Sequence, residues 1–155
     1  MPATSRGSAI PLFDRLAASG ETQLPGKNAL RDSVARDLGR LLNARSRLTF
    51  EAFGATDGSV IDYGVPDFSE RSLRSGGDRD AIAAAIRHAI QLFEPRLTNV
   101  TVSFAFPADR APDAVLLIGG EIREGTGVGH VAFELASSGT SSGHYTADPR
   151  WVEHG

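Results

Sequence analysis

Residues 81–106 read AIAAAIRHAIQLFEPRLTNVTVSFAF, and within this stretch the spacing of the apolar side chains changes once. Up to Phe93 they recur every three or four residues, which is typical of an amphipathic helix. From Thr98 to Phe106 they alternate with polar or small residues, which predicts a strand. Pro95 lies between the two patterns and disfavours a helical conformation at the residue before it. The stretch therefore predicts a helix, a turn and then a strand. The apolar face of that strand is expected to consist of Val100, Val102, Phe104 and Phe106.

A second helical pattern lies upstream of this stretch, from Leu30 to Arg45. Its apolar residues again follow spacings of three and four, while charged residues fall mostly elsewhere, so one face is expected to pack on a core. Residues 46–67 predict an ordered loop, in which residues 60–67 form an extended piece that runs into a turn. Gly76-Gly77-Asp78 offers a break and an N-cap for the next helix. The apolar face of the upstream helix is formed by Leu30, Val34, Leu38, Leu41 and Leu42.

Downstream, Ala114–Arg123 and His130–Leu135 predict two more strands. The glycine-rich residues 125–129 between them favour a hairpin connection. Residues 137–143 are typical of a turn, and the residues after them predict a loose C-terminus. Two main helices packed on one face of a small antiparallel sheet of three or four strands make an α+β fold.

Composition indicates one folded domain. The chain has 155 residues, of which 41% are hydrophobic, and a formal net charge of -3 without a long block of either sign. This composition excludes wholesale disorder and offers no basic field for nucleic acid. The absence of cysteine excludes disulfides and thiolate metal sites, and no signal peptide or membrane-spanning run is recognisable. We therefore expect a cytoplasmic protein without direct membrane insertion.

Residues 1–29 are rich in Ser, Gly, Pro and Thr, and predict a flexible tail ahead of a single domain over residues 30–155. The tail carries an apolar cluster that includes Leu12, Phe13 and Leu16. Two interpretations stay open: a short helix folded back on its own domain, or a peptide that docks on a partner.

Catalytic patterns are weak. The glycines between residues 125 and 129 precede a strand, whereas a dinucleotide loop precedes a helix. The four histidines are scattered, so no metal or other cofactor is expected. Glu94, Asp62 and Asp67 are candidate carboxylates for glycan cleavage, which needs one protonated acid. Arg96, however, lies two residues after Glu94 and favours its charged form. A lysozyme-like enzyme remains the alternative function.

Four segments, in order, resemble a known family: LFDRL at 12–16, VARDLGRLLNAR at 34–45, DYGVPD at 62–67 and FEPRL at 93–97. Together they resemble the TssE-type baseplate subunits of the bacterial type VI secretion system, which are related to phage-tail baseplate wedge proteins carrying an old lysozyme-like name. The departures are mild: Asp14 stands where the family has Glu, Ala44 where Thr or Ser is usual, and Val65 where Leu is usual.

The resemblance implies a structural protein that does no chemistry. It implies a baseplate wedge formed with TssF and TssG, strand addition to subunits of the contractile sheath, and TssK as a further contact. The charged turn at Glu94, Pro95 and Arg96 either faces a partner or pins the turn internally; we predict that it binds a partner. The same is predicted for Leu12, Phe13 and Leu16. A free-standing adaptor that binds one peptide partner without TssF or TssG is a third possibility.

Overall fold

The computed structural model describes residues 27–110, 114–138 and 144–148. It confirms the predicted α+β class. The predictions for residues 1–26 of the tail, including Leu12, Phe13 and Leu16, lie outside the described residues, whereas residues 27–29 of the predicted tail are helical. The helices are α1 (Lys27–Asn43), α2 (Phe50–Phe53) and α3 (Gly76–Phe93), and the strands are β1 (Leu97–Ala105), β2 (Val115–Glu124), β3 (Gly127–Ser138) and β4 (His144–Asp148). Two single 3-10 turns cover Val60–Asp62 and Ala108–Arg110.

The four strands form one antiparallel sheet in the order β1-β2-β3-β4, so each strand pairs with its neighbour in sequence. Gly125 adopts a φ of 61° in the two-residue turn between β2 and β3, a backbone that glycine favours. The expectation of a loose C-terminus was wrong for His144–Asp148, which pair with the end of β3. Backbone hydrogen bonds to β3 define this strand, and its sequence lacks the apolar alternation that would have predicted it.

The hydrophobic core lies between the helices and one face of the sheet. Side chains that are spaced by three and four along α1 and α3 pack on alternate side chains of β2 and β3. The opposite face of the sheet carries exposed residues such as Thr101, Ser103 and Leu117. The core includes Val34, Leu38, Leu42, Ile82, Ile86, Ile90, Ile118, Ile122, Val131 and Phe133.

A bulge at Asn99 changes which residues of β1 face the core. Asn99 has a φ of 51°, and the pairing with β2 shifts between Thr98 and Thr101. Asparagine tolerates this backbone better than most residues, and its side chain donates to Glu121 Oε2 over 2.8 Å. As a result Leu97 and Val100 are both buried although they are three residues apart. Phe106, predicted to lie on the apolar face, follows the end of β1 and is 49% exposed.

Candidate functional site

A cleft of about 280 Å³ opens where α1, the loop before α3 and the junction of α3 with β1 meet. Three of the four sequence segments that carry the family resemblance contribute to it, although they are far apart in the chain. Its lining residues are Asp37, Leu41, Tyr63, Phe93, Glu94, Pro95 and Arg96.

The tight turn at Tyr63-Gly64-Val65 brings the loop against the end of α1. The Val65 N–H donates to Ala44 O over 3.0 Å, and the Ser46 N–H donates to Val65 O over 2.9 Å. Gly64 has a φ of 118°, and a Cβ there would lie only 2.7 Å from Ala44 O. Only glycine therefore fits this close approach of two backbones.

Tyr63 forms one wall of the cleft. Its ring meets the ring of Phe93 edge to face, with the ring centroids 5.3 Å apart. Burial, followed by the nearby charge of Asp37, raises the pKa of Tyr63 above its ordinary value. The Tyr63 hydroxyl is therefore neutral at physiological pH and presents a polar tip beside an apolar ring.

The turn from α3 into β1 ends the helix without a glycine. The Glu94 N–H makes the last helical bond, to Ile90 O over 2.8 Å, and Leu97 N–H then donates to Glu94 O over 3.1 Å. Glu94 has φ -127° and ψ 74°, which is outside the helical region that proline disfavours in the residue before it. Pro95 is exposed at the tip of this turn, whereas Glu94 is only 3% exposed.

Arg96 ties this turn to α1. Its Nε donates to Glu94 Oε1 over 2.7 Å and its Nη2 donates to Glu94 Oε2 over 2.6 Å, a bidentate pair. Its Nη1 donates to Ser33 Oγ over 3.1 Å, and its Nη2 also bonds Asp37 Oδ2. The hydrogen bonds to Glu94 are the main cause that raises the pKa of Arg96. The guanidinium group thus joins a helix end, a strand start and the middle of α1.

These contacts bear on the two roles left open for the charged turn. The structure shows an internal ion pair, because the carboxylate of Glu94 is buried and both of its oxygens accept from Arg96. Exposed Pro95 and the part-exposed Arg96 still border the cleft, so a contact with a partner at these residues stays a prediction. The partner role of Leu12, Phe13 and Leu16 also stays a prediction.

The carboxylates considered for glycan cleavage do not line one cleft. Asp62 and Asp67 are not among the residues that line the cleft with Glu94. Asp62 accepts from Thr56 and Ser59, and Asp67 accepts from Ser69. Local hydrogen bonds, led by the Thr56 side chain at Asp62 and by the Ser69 backbone at Asp67, lower the pKa of both. In the part of the chain that the structure describes, no three His, Cys, Asp or Glu residues are grouped to hold a metal ion.

Sequence reasoning missed the contribution of α1 to the charged turn. Ser33 and Asp37 are four residues apart and so lie on one helix face, next to the apolar stripe. That spacing was visible, but Arg96 lies 59 residues beyond Asp37 and only the fold brings them together.

The fold and this cleft define a class: a small α+β domain in which two helices cover one face of an antiparallel sheet and an ion-paired helix–strand junction borders an open cleft. The chain belongs to the baseplate wedge family, because the family model described as "Baseplate wedge protein gp25" matches residues 28–123. This match confirms the resemblance to baseplate wedge proteins that the motifs indicate. It includes three of the four segments, with residues 12–16 outside it. A comparison with curated proteins gave no match.

Family membership indicates a structural role in a phage-tail-like baseplate, in assembly with other baseplate components. As to membranes, none of the helices within residues 27–110, 114–138 and 144–148 has the length and hydrophobicity that a span requires.

Proposed function

We propose that this protein is a structural wedge component of a type VI secretion system baseplate in the cytoplasm, where it joins the wedge to the contractile sheath. The observation that carries the proposal is the convergence of three TssE-type segments on one cleft. Contacts between Arg96 and Asp37 and between Tyr63 and Phe93 bring these segments together. Their meeting gives the fold a shaped surface for a partner.

The cleft is suited to a protein partner because it combines apolar walls with fixed charge. Tyr63, Phe93 and Pro95 provide the accessible apolar surface, whereas Leu41, which also lines the cleft, is buried. The guanidinium of Arg96 is held by Glu94 and Asp37, so little side-chain freedom is lost on binding. We assign this surface to TssF and TssG, with TssK as a further contact.

The sheet supplies the second contact. Within the described residues β1 pairs only with β2, which leaves its other edge available. An unpaired edge can accept a strand from another chain through main-chain hydrogen bonds. We propose that sheath subunits add a strand to this sheet, since a ladder of such bonds shares a pulling load among many groups.

Co-expression of the full chain with TssF and TssG tests the wedge contact. We expect a complex to co-purify, and Tyr63→Ala to weaken it by about tenfold or more, because an aromatic side chain at an interface contributes strongly. Phe106→Ala is the matched control, since Phe106 is an aromatic residue 49% exposed and not among the cleft residues. Equal affinity for wild type and Tyr63→Ala would contradict the assignment of the cleft.

A structural role also predicts that the purified full chain does not hydrolyse peptidoglycan above a heat-killed control. Release of soluble glycan fragments is the measurement. Cleavage that is present in the wild type and disappears in Glu94→Gln would support the lysozyme-like alternative and overturn the proposal.

A further inference from the structure

The 3-10 turn at Val60–Asp62 presents two neighbouring aliphatic side chains to solvent. Val60 is 92% exposed and Ile61 is 72% exposed, and no other large hydrophobic residue in the described part of the chain exceeds 58%. Single exposed apolar residues are common on protein surfaces. Two adjacent ones at the tip of an ordered turn form a small protruding surface, which we name the Val60–Ile61 knob.

Hydrogen bonds around one carboxylate hold the knob in shape. Oδ2 of Asp62 accepts from Thr56 Oγ1 over 2.9 Å, from the Ser59 N–H over 3.2 Å and from Ser59 Oγ over 3.0 Å. The Asp62 N–H in turn donates to Ser59 O over 2.9 Å. The two aliphatic side chains therefore project from a closed turn.

Contacts with α3 fix the base of the knob. Nε2 of His88 lies 3.2 Å from Thr56 O. The backbone of Gly58 packs closely on Leu92, because a Cβ added at Gly58 would lie 3.1 Å from Leu92 Cδ2. On the other side of the turn, Tyr63 contacts Phe93. A surface held in this way loses little conformational entropy when it binds.

The segment of the chain that carries the knob is acidic in sequence. From Leu48 to Glu70 the chain contains five acidic residues and no Lys, Arg or His. Asp57 is exposed beside the knob and forms no ion pair with any described residue. An apolar tip in an acidic setting is complementary to an apolar socket whose rim is basic.

We propose that the Val60–Ile61 knob inserts into an apolar socket, rimmed by Lys or Arg, on another subunit of the wedge. The knob is continuous with the cleft, because Tyr63 directly follows the turn and lines the cleft. One partner surface can therefore cover both. This inference rests on the proposed function and extends it to a second contact with its own chemistry.

The first experiment measures binding of the full chain to the co-purified TssF–TssG complex. The double variant Val60→Ser with Ile61→Ser should raise the Kd by roughly 10- to 100-fold, as expected for removing two buried aliphatic side chains. Its melting temperature should stay that of the wild type, because both side chains are exposed. Val128→Ser, at a valine 58% exposed on the β2–β3 hairpin, is the matched control and should bind like the wild type.

The second experiment reports burial of the knob directly. The chain has no cysteine, so Ile61→Cys provides a unique site for an environment-sensitive fluorophore. Addition of TssF–TssG should shift its emission to the blue and protect it from iodide quenching, and a label at Val128→Cys should show neither change. A shift that depends on the concentration of the labelled chain alone would indicate a second copy as occupant and overturn the proposal.

The basic rim is tested by Asp57→Lys. This change should slow association severalfold at low salt, and the difference should shrink as salt is added. An unchanged rate would overturn the basic rim. If the wild type does not bind TssF–TssG, the proposed function fails; if it binds and the knob variants bind equally well, only this inference fails.

Discussion

Arg96 is the residue on which most of the polar structure of the site depends. Truncation by Arg96→Ala leaves the buried carboxylate of Glu94 without its partner, and loss of one member of a buried pair costs about 3 to 5 kcal/mol. Because the Arg96 side chain is 22% exposed, we expect the lower end, about 3 kcal/mol in the free energy of unfolding. Urea unfolding of the purified chain measures this.

Urea unfolding of Arg96→Lys distinguishes the effect of the positive charge from that of the guanidinium geometry. Lysine keeps the charge but cannot form the bidentate pair with Glu94 while also reaching Ser33 and Asp37. We therefore expect a stability between wild type and Arg96→Ala. If Arg96→Ala unfolds at the same urea concentration as the wild type and only wedge binding falls, the ion pair works at the interface and not inside the fold.

Asp62 gives the knob a dependence on pH. Its folded pKa lies below the ordinary value of 3.8, with the Thr56 hydroxyl as the largest cause. A lowered folded pKa contributes stability above the unfolded value, and that contribution is lost as the pH falls through the folded pKa. We expect the turn to loosen only in acid, below about pH 4.

Thr56→Val tests the cause of this shift. Removal of the hydroxyl should raise the pKa of Asp62 toward 3.8, as measured by NMR titration of the side-chain carboxyl carbon. Asp67 is the internal control, since its pKa is lowered mainly by Ser69. A titration curve for Asp62 that is the same in both proteins would show that Thr56 is not the cause.

At the scale of the elements, Gly64 decides how the loop joins α1. Gly64→Ala must place a Cβ 2.7 Å from Ala44 O at a φ of 118°, so the turn has to move away from the helix. We expect a loss of about 2 kcal/mol or more in the free energy of unfolding, from strain and the broken backbone pairing. Gly77→Ala is the control, because nothing lies within 4 Å of an added Cβ there. Equal melting temperatures for the two variants would contradict this account.

The periodic elements were predictable from the sequence because their apolar spacing reports burial directly. The helix and strand around Pro95 were found in this way, and so were β2 and most of β3. The burial of Leu97 was not predicted, because its place in the core depends on the bulge at Asn99. A bulge breaks the alternation on which the prediction relies. A fourth strand was allowed by the prediction, but its position was missed because pairing with β3, and not its own pattern, defines it.

The candidate site was predictable only in part, for a related physical reason. Glu94 and Arg96 are two residues apart, so their pairing could be foreseen, but two roles for it remained open. Ser33 and Asp37 lie about 60 residues before Arg96 along the chain, and no local sequence pattern predicts their contact with Arg96. The exposure of Val60 and Ile61 could not be predicted from the sequence either, because the tertiary structure determines whether an aliphatic residue in a loop is exposed.

At the scale of the whole molecule, the core of the described residues begins at Leu30, after the predicted tail. Deletion of residues 1–20 should therefore leave the melting temperature within a few degrees of the full chain. Wedge assembly with TssF and TssG should weaken, because the deletion removes Leu12, Phe13 and Leu16. Circular dichroism and co-purification are the two measurements. A deletion that unfolds the domain would show that the apolar cluster belongs to the core.

The strand order β1-β2-β3-β4 also bears on the time course of folding. Each strand pairs with its sequence neighbour, so the sheet can grow by successive short-range hairpins, and contacts close in sequence form quickly. The bonds from Arg96 to Ser33 and Asp37 close loops of 63 and 59 residues, and we expect them to form after the main folding barrier. Arg96→Ala should then accelerate unfolding in stopped-flow experiments while the refolding rate stays nearly constant. In that case the hydrogen bonds from Arg96 to Ser33 and Asp37 determine how long the native protein persists, and the hairpins determine how fast it forms.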